Sequence, residues 1–142
     1  MQSFRRFLDH TEDVFFVARA PFLKELFDHC ASAMQEAVVE QETVQKRFKV
    51  KILGEDKDPK QLLYDFLDDL VFFKRYRQCV FRNFAIDVEE KDGTYLLRCT
   101  AVGENIDLFR HKPKLEFKNL DKAQYKFEKV DDGYKVQVVV KV

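Results

Sequence analysis

Apolar and polar residues alternate in register with a short list of elements along the chain. Phe4 to Leu8 and Val14 to Ala18 are short β-prone runs separated by His10-Thr11-Glu12-Asp13, which predicts two strands or one interrupted strand pair. Pro21 suits the first turn of a helix, where its missing N–H costs nothing. Phe22, Leu23, Leu26, Phe27, Cys30, Ala31, Met34, Ala37 and Val38 then follow at helical spacing, with Lys24, Glu25, Asp28 and Gln35 between them. Phe48, Val50 and Ile52 alternate with Lys49 and Lys51, a half-buried strand ending near Gly54. Asp58-Pro59-Lys60-Gln61 predicts an N-cap, a proline at the first helical position and a capping-box glutamine. That second helix places Leu62, Leu63, Phe66, Leu67, Leu70 and Val71 on one face and Asp65, Asp68 and Asp69 on the other.

After Arg77 the period changes to two. Phe84-Ile86-Val88 and Leu97-Cys99-Ala101 flank Asp92-Gly93, a strong hairpin signal, and a second Asp-Gly at Asp132-Gly133 precedes the closing valines. Val136, Val138, Val140 and Val142 share one face of the last strand, so Gln137, Val139 and Lys141 share the other. The pattern predicts an α+β fold, a single domain over 1–142 with a largely antiparallel β-sheet and two main helices. There is no internal repeat, low-complexity tract or linker.

Composition narrows the function classes. With 46% hydrophobic and 35% charged residues the chain is neither disordered nor fibrous. Twenty-five basic residues balance 25 acidic ones, which argues against whole-surface capture of nucleic acid or anionic membrane. The charge is uneven, since the segment from Arg110 onward carries nine basic and five acidic residues. Fifteen phenylalanines and no tryptophan predict an aromatic core without polar tips to satisfy. Cys30, Cys79 and Cys99 are odd in number and form no CxxC pair, so reduced thiols are expected. No run approaches the ~18 apolar residues of a bilayer span, and Met1-Gln2-Ser3-Phe4-Arg5-Arg6 lacks the apolar run of a signal peptide. A cytoplasmic protein without membrane contact is the expectation.

The chemistry-bearing clusters each admit two readings. His10-Thr11-Glu12-Asp13 can bind a cation or move a proton, or it can be a turn in which Thr11 and Asp13 cap backbone amides, and turn chemistry is the commoner use. Asp65, Asp68 and Asp69 read as a solvated helix face. Arg110-His111-Lys112 with Lys114 and Lys118 can neutralise phosphates or an acidic protein surface, or simply decorate a loop and an edge strand. Gly54, Gly93, Gly103 and Gly133 are isolated, so there is no phosphate-cradling loop, and no GxSxG, HExxH or zinc-type spacing occurs. An enzyme working with His10 and Asp13 as acid and base lacks any supporting motif.

Five segments in order give the chain a resemblance to the archease family. His10-Thr11-Glu12-Asp13 resembles the family's H-T-A-D, and Pro21-Phe22-Leu23-Lys24-Glu25-Leu26-Phe27 falls where the family has S-L-E-E-L-F. Leu62 to Leu70 resembles L-L-x-D-W-L-N-E-L, and Gly103-Glu104-Asn105-Ile106-Asp107 with Arg110-His111 resembles G-E-x-x-D…R-H. Glu116-Phe117-Lys118 then matches E-V-K. The resemblance implies a protein cofactor, not an enzyme, that activates an RtcB-type RNA ligase in transfer-RNA splicing or RNA repair. It would assist the ligase's GTP-dependent guanylylation and multiple turnover. By position it implies that Asp13, Lys118 and His111 serve ligase activation and that Asp13 belongs to a divalent metal site, calcium or manganese. GTP would be used by the ligase, and RNA contact would be indirect. The chain departs from the family at its end, where Val140-Lys141-Val142 replaces an apolar–Asp–apolar tripeptide, and after Lys118, where Asn119-Leu120-Asp121-Lys122-Ala123 replaces A-x-T-Y-H. Lys141 can stand in for the metal's charge beside Asp13, or Glu12 or Asp121 can supply the missing oxygens. Both departures favour the alternative function, an archease-fold adaptor or chaperone-like binding module that has lost metal-dependent activation.

Overall fold

In the computed structural model, which describes residues 1–8 and 12–142, the first two apolar runs become an antiparallel pair. They are β1 (Phe4–Phe7) and β2 (Val14–Ala20). The remaining strands are β3 (Phe48–Asp56), β4 (Cys79–Lys91), β5 (Thr94–Asn105), β6 (Asn119–Leu120), β7 (Lys126–Val130) and β8 (Gly133–Lys141). One sheet runs β1-β2-β8, with β6 and β7 both on the far edge of β8, and the second runs β3-β5-β4. Every pairing is antiparallel, so the α+β class with antiparallel sheets holds.

Helix α1 (Leu23–Val38) contacts β2 and β8 of the first sheet and β4 of the second. Being covered from two sides, it buries Leu26, Phe27, Cys30, Ala31, Ala33, Met34 and Val38 around most of its circumference. Helix α2 (Pro59–Arg77) buries the predicted stripe from Leu62 to Val71, while Asp65, Asp68 and Asp69 are exposed as the solvated face. The helices meet through stacked Phe27 and Phe66 rings, 5.8 Å apart, and Phe66 meets Phe84 of β4 edge-on. Full burial of a side chain such as Phe27 or Phe66 is worth about 1.5–3 kcal/mol of transfer free energy. All three cysteines are buried and free, and burial pushes the Cys99 thiol up to about 12. No helix among the described residues is long and apolar enough to cross a membrane.

Local signals succeeded and failed for physical reasons. Asp92 (φ 52°) and Gly93 (φ 80°) are both left-handed, as a two-residue turn matched to strand twist requires. Asp58 caps α2 by accepting the Lys60 N–H, with Pro59 at the first position. Gln61, however, does not reach back as a capping box; it donates to Asp65 at 2.9 Å. Pro21 lies ahead of α1, whose N-cap is Phe22. At the second Asp-Gly, Val130 pairs directly with Gly133, leaving Asp131-Asp132 as the turn. Gly133 matters for close approach, because a Cβ there would meet the Ala20 carbonyl and Pro21 Cα.

Close approach also explains Gly103. The β4–β5 register slips between Phe81 and Asn83, a bulge whose freed Phe81 N–H is taken by the buried Gln35 side chain at 2.9 Å. Opposite it, a Cβ on Gly103 would press on the Val80 carbonyl and on Phe81 Cα. Gly103→Ala is expected to destabilise the protein by about 1–3 kcal/mol, read as a lower urea midpoint, because backbone must move to admit it.

Candidate functional site

The end of β8 carries Asp13 and Lys118, two of the residues that the resemblance points to. Val14 pairs with Val140, so Asp13, one residue before β2, holds the register position opposite Lys141. Main-chain pairing gives way there to a side chain, as the Val142 N–H donates to Asp13 Oδ1 at 3.2 Å. On the other flank Lys141 pairs with Asn119 of β6, and the Lys118 N–H donates to the Lys141 carbonyl at 2.8 Å. One step inward the Asp121 N–H donates to the Val139 carbonyl at 2.9 Å. Val136, Val138 and Val140 face the core, so the exposed Lys141 belongs to the outer face with Asp13.

Asp121 caps the 3-10 turn Lys122–Gln124, accepting Ala123 and Gln124 N–H on Oδ1 and the Gln124 side-chain amide on Oδ2 at 2.7 Å. The hydrogen bonds from Gln124, helped by the Lys141 charge, hold its carboxyl below the usual range. Lys141 thus lies opposite Asp13 in register, and its charge reaches the Asp121 carboxylate. A hard divalent cation wants six or more oxygens. Among the described residues no group of three ligating side chains converges, and both oxygens of Asp121 are already engaged. These residues do not fit a calcium or manganese ion.

Lys118 is pinned by its backbone. Arg75 of α2 donates to the Lys118 carbonyl at 2.7 Å, and Lys74 pairs with Glu116 at 3.1 Å. Phe117 between them is buried, which directs the neighbouring Lys118 outward. Lys74 itself is 1% exposed. Sequence reasoning missed Lys74 and Arg75, although a lysine four residues after Leu70, on the apolar stripe of a helix, is a signal that its ammonium must find a partner.

His111 goes elsewhere. It ends the short helix α3 (Leu108–His111), capped by Asp107 through the Phe109 and Arg110 N–H groups. Its Nδ1 accepts the Asp107 N–H at 2.7 Å, so the ring proton sits on Nε2 and is donated to Glu104 Oε2 at 2.9 Å. Glu104, at the end of β5 and 2% exposed, also receives both Arg110 terminal nitrogens at 2.7 Å, Arg47 at 3.1 Å and the Gln45 N–H at 2.6 Å. The Arg110 guanidinium, with those further donors, holds the Glu104 carboxyl well below the usual carboxylate range despite burial. The G-E-x-x-D…R-H segment is therefore a joint tying β5 to α3 and to the chain entering β3. Asp13 and Lys118 flank the end of β8, on its β2 and β6 sides, whereas His111 is locked inside this joint. His10 lies outside the described residues.

The model of the archease protein family matches residues 6–142. The protein archease of Pyrococcus furiosus is 34% identical over 125 residues, 88% of either chain, and that of Methanosarcina barkeri is 31% identical over 137 residues, covering 96% of this chain and 94% of its own. The solution structure of Methanobacterium thermoautotrophicum protein 1598 superposes with a TM-score of 0.83 at 27% identity, over 97% of this chain and 98% of that one. A crystal structure of an archease, possible chaperone, from Thermotoga maritima shares the fold over the full length of both chains, with a TM-score of 0.60 at 14% identity.

Proposed function

The chain belongs to the archease family, and on that footing we propose that it is a non-enzymatic activator of an RtcB-type RNA ligase. It assists the ligase's GTP-dependent guanylylation, and so multiple turnover, in transfer-RNA splicing or RNA repair in the cytoplasm. The observation that carries this reading is that Asp13 and Lys118 flank one strand end, each tied to the Lys141–Val142 main chain. A carboxylate and an ammonium held on rigid backbone can be presented together to a ligase active site, where phosphate charge must be moved and neutralised. GTP belongs to the ligase, and contact with RNA is indirect. His111 supports the activator through the fold of α3.

The test is RNA ligation by the ligase of the same organism, with substrate in excess and this chain in trace amounts. Trace protein is expected to turn a stalled single turnover into many, and Asp13→Ala and Lys118→Ala are each expected to lose at least about tenfold of that effect, a step of roughly 1.4 kcal/mol. Lys141, opposite Asp13 in register and acting by its charge on Asp121, favours a second reading, an adaptor or chaperone-like module that keeps the fold without metal-dependent activation. Association with the ligase and no change in turnover is the result that selects it.

A further inference from the structure

The last two turns of α2 carry a feature that their place in the fold does not require. Phe72 and Tyr76, four residues apart on one helix face, are 45% and 65% exposed, and their rings lie 5.4 Å apart. The Arg75 guanidinium sits over the Tyr76 ring at 5.3 Å, and that of Arg77 over Phe72 at 5.9 Å. The helix dipole accounts for cations in a last turn. It does not account for two large rings held open to water. Beside them, the Asn105 amide donates to the Arg77 carbonyl and the Ile106 N–H to the Gln78 carbonyl, which brings the chain entering α3 to the same end. There Leu108 is 67% and Phe109 91% exposed. On the other side, Arg75 donates to the Lys118 carbonyl, so the surface is continuous with the segment that presents Lys118.

We propose that this end of α2, Phe72 and Tyr76 beneath Arg77 and Arg75, is the surface on which the chain docks against a carboxylate-rich face of its protein partner. The proposal rests on the ligase reading for the partner's identity. Tyrosine and arginine are the residue types that anchor protein interfaces, and a guanidinium stacked on a ring can still fork a carboxylate with its edge, a role that falls to Arg77 because Arg75 gives one N–H to the Lys118 carbonyl. The stacking also decides against single-stranded RNA. Bases stack best on open, parallel ring faces, whereas one face of each ring here carries a guanidinium and the two rings are tilted 40° to each other. The acids of α2 (Asp65, Asp68 and Asp69) fall on its earlier turns, leaving the docking end positive.

The experiment is calorimetric titration of the full chain into the purified ligase of the same organism, at about 50 and 200 mM salt. Arg77→Glu and Tyr76→Ala are expected each to weaken binding at least about tenfold, with a shallower salt dependence for Arg77→Glu. Both positions are exposed, so folding is spared, and Lys51→Glu on β3 is expected to bind as the wild type does. Wild-type affinity in both variants overturns the proposal while leaving the ligase reading intact. No binding by the wild-type chain overturns both. Binding of a single-stranded oligouridine that Arg77→Glu abolishes, with ligase affinity unchanged, overturns it in favour of a nucleic-acid surface.

Discussion

Glu104→Gln is expected to lower the unfolding free energy by about 3–5 kcal/mol, the cost of breaking a buried charged network by removing one partner. The substitution is nearly isosteric, so the loss comes from chemistry and not volume. Both carboxylate oxygens are acceptors for N–H groups from Gln45, Arg47, Arg110 and His111. An amide puts two N–H donors where one of those oxygens was, facing donors that cannot turn away, since Arg110 is also held by the Thr43 carbonyl at 2.7 Å and His111 by the Asp107 N–H. The same carboxylate sets part of the acid limb of stability. Its pKa is depressed on folding, so its contribution is complete above the unfolded glutamate value of about 4.3 and is lost as pH falls towards the folded one. Urea unfolding at pH 7 and across pH 5 to 3 reads both effects. The wild type is expected to lose stability steeply on acidification, and Glu104→Gln to start lower and fall less. The remaining slope comes in part from Asp121, whose carboxyl is also held below its usual range. A variant within about 1 kcal/mol of wild type, or one with an unchanged acid slope, would show that the joint is not what holds α3 in place.

The contrast between this joint and the rest of the fold shows what a linear pattern carries. The Asp92-Gly93 turn and the Asp58-Pro59 helix start were legible because the partners lie within four residues, and the positive φ angles or cap bonds follow from the residue types alone. The stripes of α1 and α2 were legible because burial repeats at the helical period. Glu104 was legible only as a motif letter. Its role depends on Gln45 and Arg47, which approach from 57 residues or more away in sequence. The same limit applied to His111, whose residue type suggests chemistry equally well whether it is exposed or buried. At β8 the pattern identified Lys141 as facing away from the core, and family resemblance pointed to Asp13 and Lys118. Their placement on either flank of the β8 end is a product of the β2–β8 and β6–β8 registers, with Asp13 and Val142 129 residues apart. Asp13 does cap a backbone amide, and the amide of Val142 that it accepts comes from the far end of the chain.

That register makes residue 141 the position through which the charge of the strand end can be switched, and Lys141→Asp is expected to convert it into a divalent-metal site. In the wild type the ammonium lies across from Asp13 and its charge helps hold the Asp121 carboxyl down, so a divalent cation meets like charge at the centre of the cluster. Melting temperature of the wild type is expected to be unchanged by millimolar calcium or manganese. Without metal, Lys141→Asp is expected to melt below wild type, because three carboxylates then crowd one strand end with no cation among them. Added calcium is expected to reverse the sign. A ligand that binds the folded state alone stabilises it by about 2.7 kcal/mol at a hundredfold excess over Kd, which for a domain of this size is a rise of roughly 5–10 °C. Asp13→Ala in the Lys141→Asp background removes that rise if Asp13 is a ligand. The opposite result, a calcium-dependent rise in the wild type that Asp13→Ala abolishes, would place a cation beside an ammonium. The oxygens compensating that repulsion would then have to come from residues other than Asp13 and Asp121, and Lys141 would be a neighbour of the metal instead of its replacement.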